Sequence, residues 1–117
     1  MGNYQKLNVW EHSKNLAVNI YRLTKSPEFK KDLGLRDQIQ RAAVSIPANI
    51  AEGDELGTNK QSIRHFYIAK GSVAELQTLL IISNEIEYLN SETAEKLVTE
   101  CSVISIMLYK QIQARIP

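Results

Sequence analysis

Two histidines and one cysteine have the most direct route to chemistry in this 117-residue chain, and their neighbours in sequence argue against it. An inward-facing di-iron site needs Glu-x-x-His pairs, whereas Val9 stands three before His12 and Ser62 three before His65. There is no Gly-rich loop ending in Lys-Ser/Thr to cradle phosphates, and no His-Glu-x-x-His helix for zinc. Cys101 is alone, which excludes an intramolecular disulfide and any multi-cysteine metal centre. It also falls on an apolar stripe, with no local feature to activate its thiol. Acid–base work would need Asn49, Glu52, His65 and Glu75 to converge, possible only if a cluster forms between subunits. The chain is therefore expected to have no catalytic residues, no metal and no cofactor.

A second kind of chemistry is better provided for. Lys14, Tyr21, Arg22 and Lys25 recur at helical spacing, and Lys60, Arg64 and Tyr67 share one side of a later helix. Cations replace counterions along phosphates and flat rings stack on unpaired bases, so both sets are equipped for weak, sequence-independent contact with RNA or DNA. The net charge is only +1, but residues 1–70 carry eleven Lys/Arg against seven Asp/Glu, and residues 71–117 three against six. One half of the surface is thus expected to be basic.

The elements that must position these residues are helices. Three prolines, five glycines and no sustained β-type alternation leave the 3.6-residue period as the recurring signal. The first helix is expected from a cap at Asn8, with Glu11 completing the box, to about Lys25, burying Val9, Leu16, Ala17, Ile20, Leu23, Trp10 and Tyr21. Ser26-Pro27 stops it and Pro27–Gly34 forms a connector. The second spans about Leu35 to Leu56 with Ile39, Ala42, Ala43, Ile46 and Ile50 inward, an Asp37–Arg41 surface pair, and a kink at Pro47. Gly57 ends it, and Thr58 with Gln61 caps the third helix, which runs to about Leu89. Phe66, Ala69, Val73, Leu76 and Leu80 make one stripe there; Leu79, Ile82, Ile86 and Leu89 make another. Asn90-Ser91 caps a fourth helix lined by Ala94, Leu97, Cys101, Ile104, Leu108 and Ile112. Short connections then give one domain over residues 1–117, an all-α, antiparallel, up-down-up-down four-helix bundle.

Three stretches form a more specific signature: Val9-Trp10, the run Ala43-Val44-Ser45-Ile46-Pro47-Ala48-Asn49-Ile50-Ala51-Glu52-Gly53, and Ala69-Lys70-Gly71-Ser72 followed by Glu75-Leu76. On these the chain resembles, over nearly its whole length, the four-helix-bundle family of 23S ribosomal RNA intervening-sequence proteins, related to the accessory variability proteins of diversity-generating retroelements. The resemblance implies a pentameric, barrel-like ring, in some members with a basic surface thought to touch nucleic acid, and no established enzymatic activity. Asp54-Glu55-Leu56 stand where the family often continues with aromatic or arginine residues, which favours a protein-only scaffold as the alternative.

The same motif residues have a packing explanation. Small side chains let two helices approach, Ser45 and Asn49 can satisfy groups left unpaired near Pro47, Glu52 or Glu75 can pair with an arginine, and Gly71 implies a neighbour too close for a side chain. Apolar residues in excess of one bundle's needs independently imply self-association, with Trp10, Leu79, Ile81, Ile82, Val103, Ile106 and Met107 as the candidate interface. The longest apolar run, Leu79–Ile82, is far too short to span a membrane, no signal-peptide core opens the chain, and a cytoplasmic location is the default expectation.

Overall fold

Helix boundaries in the computed structural model, which describes residues 2–117, fall mostly where the side chains can cap them. A short turn at Tyr4–Lys6 precedes α1 (Asn8–Leu23), α2 (Pro27–Lys31), α3 (Leu33–Glu55), α4 (Asn59–Glu85) and α5 (Ser91–Gln113). Thr58 accepts a hydrogen bond from the Gln61 amide at 3.3 Å and Asn90 from the Thr93 amide at 2.8 Å, as the capping patterns required. Gly57 adopts φ +82°, the left-handed geometry that lets α3 stop and α4 start.

The start of α1 departs from expectation. Asn8 is already helical, Leu7 occupies the cap position, and no side chain bonds the free amides. The helix ends at Leu23, and just beyond it Thr24 folds its hydroxyl back onto the Ile20 carbonyl at 2.8 Å. The connector is likewise more ordered than its proline and glycine suggested. Pro27 begins the helical turn α2, whose Phe29 is 0% exposed and meets Tyr88 edge to face at 5.4 Å. Asp32 then caps α3 by accepting from the Leu35 amide and also accepts the Tyr88 hydroxyl at 3.0 Å. The expected Asp37–Arg41 pair is replaced by Asp37 with its neighbour Arg36 at 3.4 Å. At the far end, α4 stops at Glu85 rather than Leu89, since Glu87 turns to φ 68° and the Tyr88 and Leu89 amides both donate to the Ser83 carbonyl.

The Asp32 hydrogen bond, then burial, raises the Tyr88 phenol above its ordinary 10.0. The fold therefore favours the neutral phenol, so this contribution is complete below about pH 10 and is lost as pH rises through the higher folded-state value. Tyr88→Phe is expected to flatten the loss of stability above that pH, which urea midpoints across the alkaline range will measure.

Inter-helix bonds define the bundle. Asn49 with His65 and Ser45 with Ser72 run α3 against α4, while Lys70 with Ser105 and Gln77 with Val98 run α4 against α5. Each pairing advances on one helix as it retreats on the other, so neighbours are antiparallel. Among the described residues α1 packs on α3 and α5 and not on α4. The four long helices thus form a square in the order α1, α3, α4, α5, with α1 diagonal to α4. The rod measures 46 × 20 × 20 Å. All of the expected inward residues of α3 and α5 are buried, and α3 continues as one helix through Pro47.

The glycine reading is reversed by the structure. Gly71 is exposed, with open space where a side chain would stand. Gly53 is the crowded one: a Cβ there would lie 3.0 Å from both the His65 Cβ and the Phe66 ring. Gly71→Ala is expected to stabilise the chain by about 1 kcal/mol through helix propensity, and Gly53→Ala to destabilise it by about 1–3 kcal/mol through overpacking. Thermal unfolding of the two variants side by side checks both signs.

Candidate functional site

The motif residues of α3 and α4 meet along one seam. Asn49 donates through Nδ2 to the Ser45 carbonyl at 2.9 Å and to its hydroxyl at 3.0 Å. Ser72 donates to the Ser45 hydroxyl at 2.9 Å, and the Ser62 hydroxyl donates to the Gly53 carbonyl. His65 Nδ1 lies 3.0 Å from Asn49 Oδ1 and 3.4 Å from Glu52 Oε2. Because both neighbours are acceptors, Nδ1 is the nitrogen that carries a proton. Asn49, Glu52 and His65 therefore do come together, within one chain. Glu75 does not join them: it lies ten residues along α4 from His65, roughly 15 Å away by helical rise, and is exposed. The seam reads as an inter-helix clamp whose polar groups satisfy one another, with Pro47 and Gly53 setting the backbone beside it.

Other reactive groups are similarly occupied or isolated. Cys101 is fully buried, and desolvation, with Glu100 adding to it, pushes its thiol up to about 12, so it stays protonated. His12 lines a cleft of about 340 Å³ between α1 and α5 beside Asn15, Asn19 and Glu100. Among the described residues no three His, Cys, Asp or Glu side chains gather as a metal site. Asp54 is drawn inward, where it meets Arg115 at 3.5 Å with the Arg115 guanidinium over the Phe66 ring. Of the acidic pair after the motif, only Glu55 faces outward.

The cationic residues divide into two groups. Arg22 and Lys25 are exposed on the outer side of α1; Lys14 is half-buried there, tied to Glu11 at 3.7 Å and lying over the Trp10 ring. Lys60, Arg64 and Tyr67 are exposed on the outer side of α4. Since α1 and α4 are diagonal, these two sets look out from opposite sides and do not form one surface. What continues the α1 set is α3. Tyr21, expected in the core, is 43% exposed and lines a depression of about 460 Å³ with Asp37, Gln40, Arg41, Val44 and Ser45. The sequence hid Arg41, because Asp37 four residues before it suggested an ion pair.

The proposed interface residues also separate. Leu79 belongs to the core, and Trp10 and Met107 pack partly against it. Ile81, Ile82, Val103 and Ile106 are exposed, joined by Ile68, Tyr67 and Tyr109. On α4, Ile68 lies on the flank that carries His65 and Ser72 toward α3, while Ile81 shares a hollow with Ala94 and Val98 of α5. Among the described residues no helix is long and apolar enough to cross a membrane.

Comparison with known proteins bears on the whole chain rather than on one site. No curated protein matches it. A crystal structure of a Bacteroides thetaiotaomicron protein of unknown function, from the S23 ribosomal protein family, superposes with a TM-score of 0.83 at 28% identity, covering 89% of this chain and 97% of that one. The sequence profile described as 23S rRNA-intervening sequence protein matches residues 5–110, a span that includes α1, the α3 motif and its α4 partners, and the chain belongs to that family.

Proposed function

We propose that this protein is a non-catalytic subunit that assembles with copies of itself into a pentameric ring, which holds RNA or DNA weakly through its repeated basic faces. The observation that carries the reading is the exposed apolar surface of α4 and α5. Ile81 and Ile106 are 49% and 57% exposed, and Tyr67, Ile82, Val103 and Tyr109 are further exposed apolar or aromatic residues of the same two helices. Surface of this extent marks association rather than scattered apolar residues. Exposed apolar residues on two flanks of each chain, Ile68 on the side of α4 toward α3 and Ile81 on its side toward α5, favour head-to-tail contact, which closes into a ring when the rotation allows. The copy number comes from the family resemblance, as does the kinship with accessory variability proteins.

Assembly through α4 leaves the diagonal α1 side facing away, with Arg22 and Lys25 repeated in every subunit. Several weak sites held rigidly together gain avidity, which offsets the small charge of each chain. Drawing Asp54 onto Arg115 removes one of the two acids that favoured the protein-only scaffold. Small-angle scattering tests the assembly. A lone chain has a Cα radius of gyration of 14.6 Å; a considerably larger value is expected at micromolar concentration, and a value near that of the lone chain would overturn the proposal.

A further inference from the structure

The depression between α1 and α3 differs from the other hollows in the kinds of group it brings together. Tyr21 offers a half-exposed ring, and its hydroxyl has no hydrogen-bond partner among the described residues. Arg41, on the facing helix, has no carboxylate within salt-bridge distance among the described residues, while the nearby Asp37 is already engaged by Arg36. Gln40 is held rather than free. Its Nε2 donates to Thr24 Oγ1 at 2.9 Å, and that hydroxyl spends its own proton on the Ile20 carbonyl at 2.8 Å. The direction of the first bond is thereby fixed, and Gln40 keeps Oε1 and its second N–H for another partner. Val44 supplies an apolar wall, and Ser45 ties the floor to the α3–α4 seam by accepting from Ser72.

A ring, a guanidinium and an oriented amide are what an unpaired nucleotide needs: a face to stack on, a cation for its phosphate and a donor–acceptor pair for a base edge. The depression, about 460 Å³ and widely open to solvent, presents these groups to a strand lying across it. A duplex, whose bases are stacked inside, gains nothing from the ring. We propose that this depression is a single-strand nucleic-acid site in which Tyr21 stacks a base, Gln40 meets its edge and Arg41 binds the adjoining phosphate, while Arg22 and Lys25 follow the strand along α1. The proposal rests on the nucleic-acid part of the reading above. It goes beyond it by placing the contact on α1 and α3 and excluding Lys60, Arg64 and Tyr67 of α4.

Fluorescence anisotropy of the full chain with labelled oligouridine and oligothymidine of about 20 nucleotides, and with a matching duplex, at about 50 mM salt tests it. Single strands are expected to bind more tightly than the duplex. Arg41→Glu and Tyr21→Ala are each expected to weaken them by about tenfold, Tyr21→Phe to stay close to wild type because the ring remains, and Lys60→Glu and Arg64→Glu on α4 to have little effect. Both target side chains are exposed, and circular dichroism will show that the variants remain folded. A larger loss from the α4 variants, equal losses from both sets, or a preference for duplex would overturn the site while leaving nucleic-acid binding intact. Absence of binding by every probe would overturn the broader reading and the site with it.

Discussion

Phe29→Ala will cost the fold about 3–5 kcal/mol, the range for emptying a fully buried aromatic site. The side chain is 0% exposed, meets Tyr88 edge to face at 5.4 Å and closes one end of the bundle beneath the α1–α3 connection. Its removal leaves a void walled by core residues and takes away the ring against which Tyr88 is set while bonding Asp32. A urea titration should show the midpoint falling steeply with little change in slope. A loss under about 1 kcal/mol would mean that α2 lies on the core without closing it.

That residue also marks where the sequence ceased to be readable. A five-residue helix bounded by Pro27 and Asp32 is too short for a 3.6-residue period to register, so one aromatic between charged neighbours looked like connector. The long helices posed no such difficulty. Ile39, Ala42, Ala43, Ile46 and Ile50 repeat often enough to fix the buried face of α3, and Thr58 and Asn90 declare caps through local chemistry. Gly53 and Gly71 show the limit from another side: which one is crowded depends on the register between α3 and α4, set by Asn49 meeting His65, and no local pattern carries that register. The diagonal placement of α1 and α4 is likewise a property of four helices together. It separates Lys14, Arg22 and Lys25 from Lys60, Arg64 and Tyr67, and brings Arg41 beside Tyr21 instead.

The second large effect concerns association. Ile81→Asp combined with Ile106→Asp is expected to convert the assembled protein into single chains. In the lone chain both side chains are about half exposed, so the substitutions should alter its stability by no more than about 0.5 kcal/mol each. In an interface each would bury an unpaired carboxylate, and a central apolar contact of this kind commonly costs about 2 kcal/mol or more when lost. Two such losses per contact weaken association by about 1000-fold. Val18→Asp, on the outer side of α1, is the control: Val18 is 40% exposed, and its substitution should leave assembly unchanged. Unchanged unfolding of the isolated chains, read by circular dichroism, separates lost association from lost folding.

Native mass spectrometry of the wild-type chain beside the Ile81→Asp/Ile106→Asp variant tests self-assembly through α4 and α5 most directly, because it counts chains. The wild type is expected to give one closed multiple of 13.3 kDa, a pentamer, and the variant a single chain. A wild-type protein of one chain at micromolar concentration, or a variant that keeps the full copy number, would contradict it.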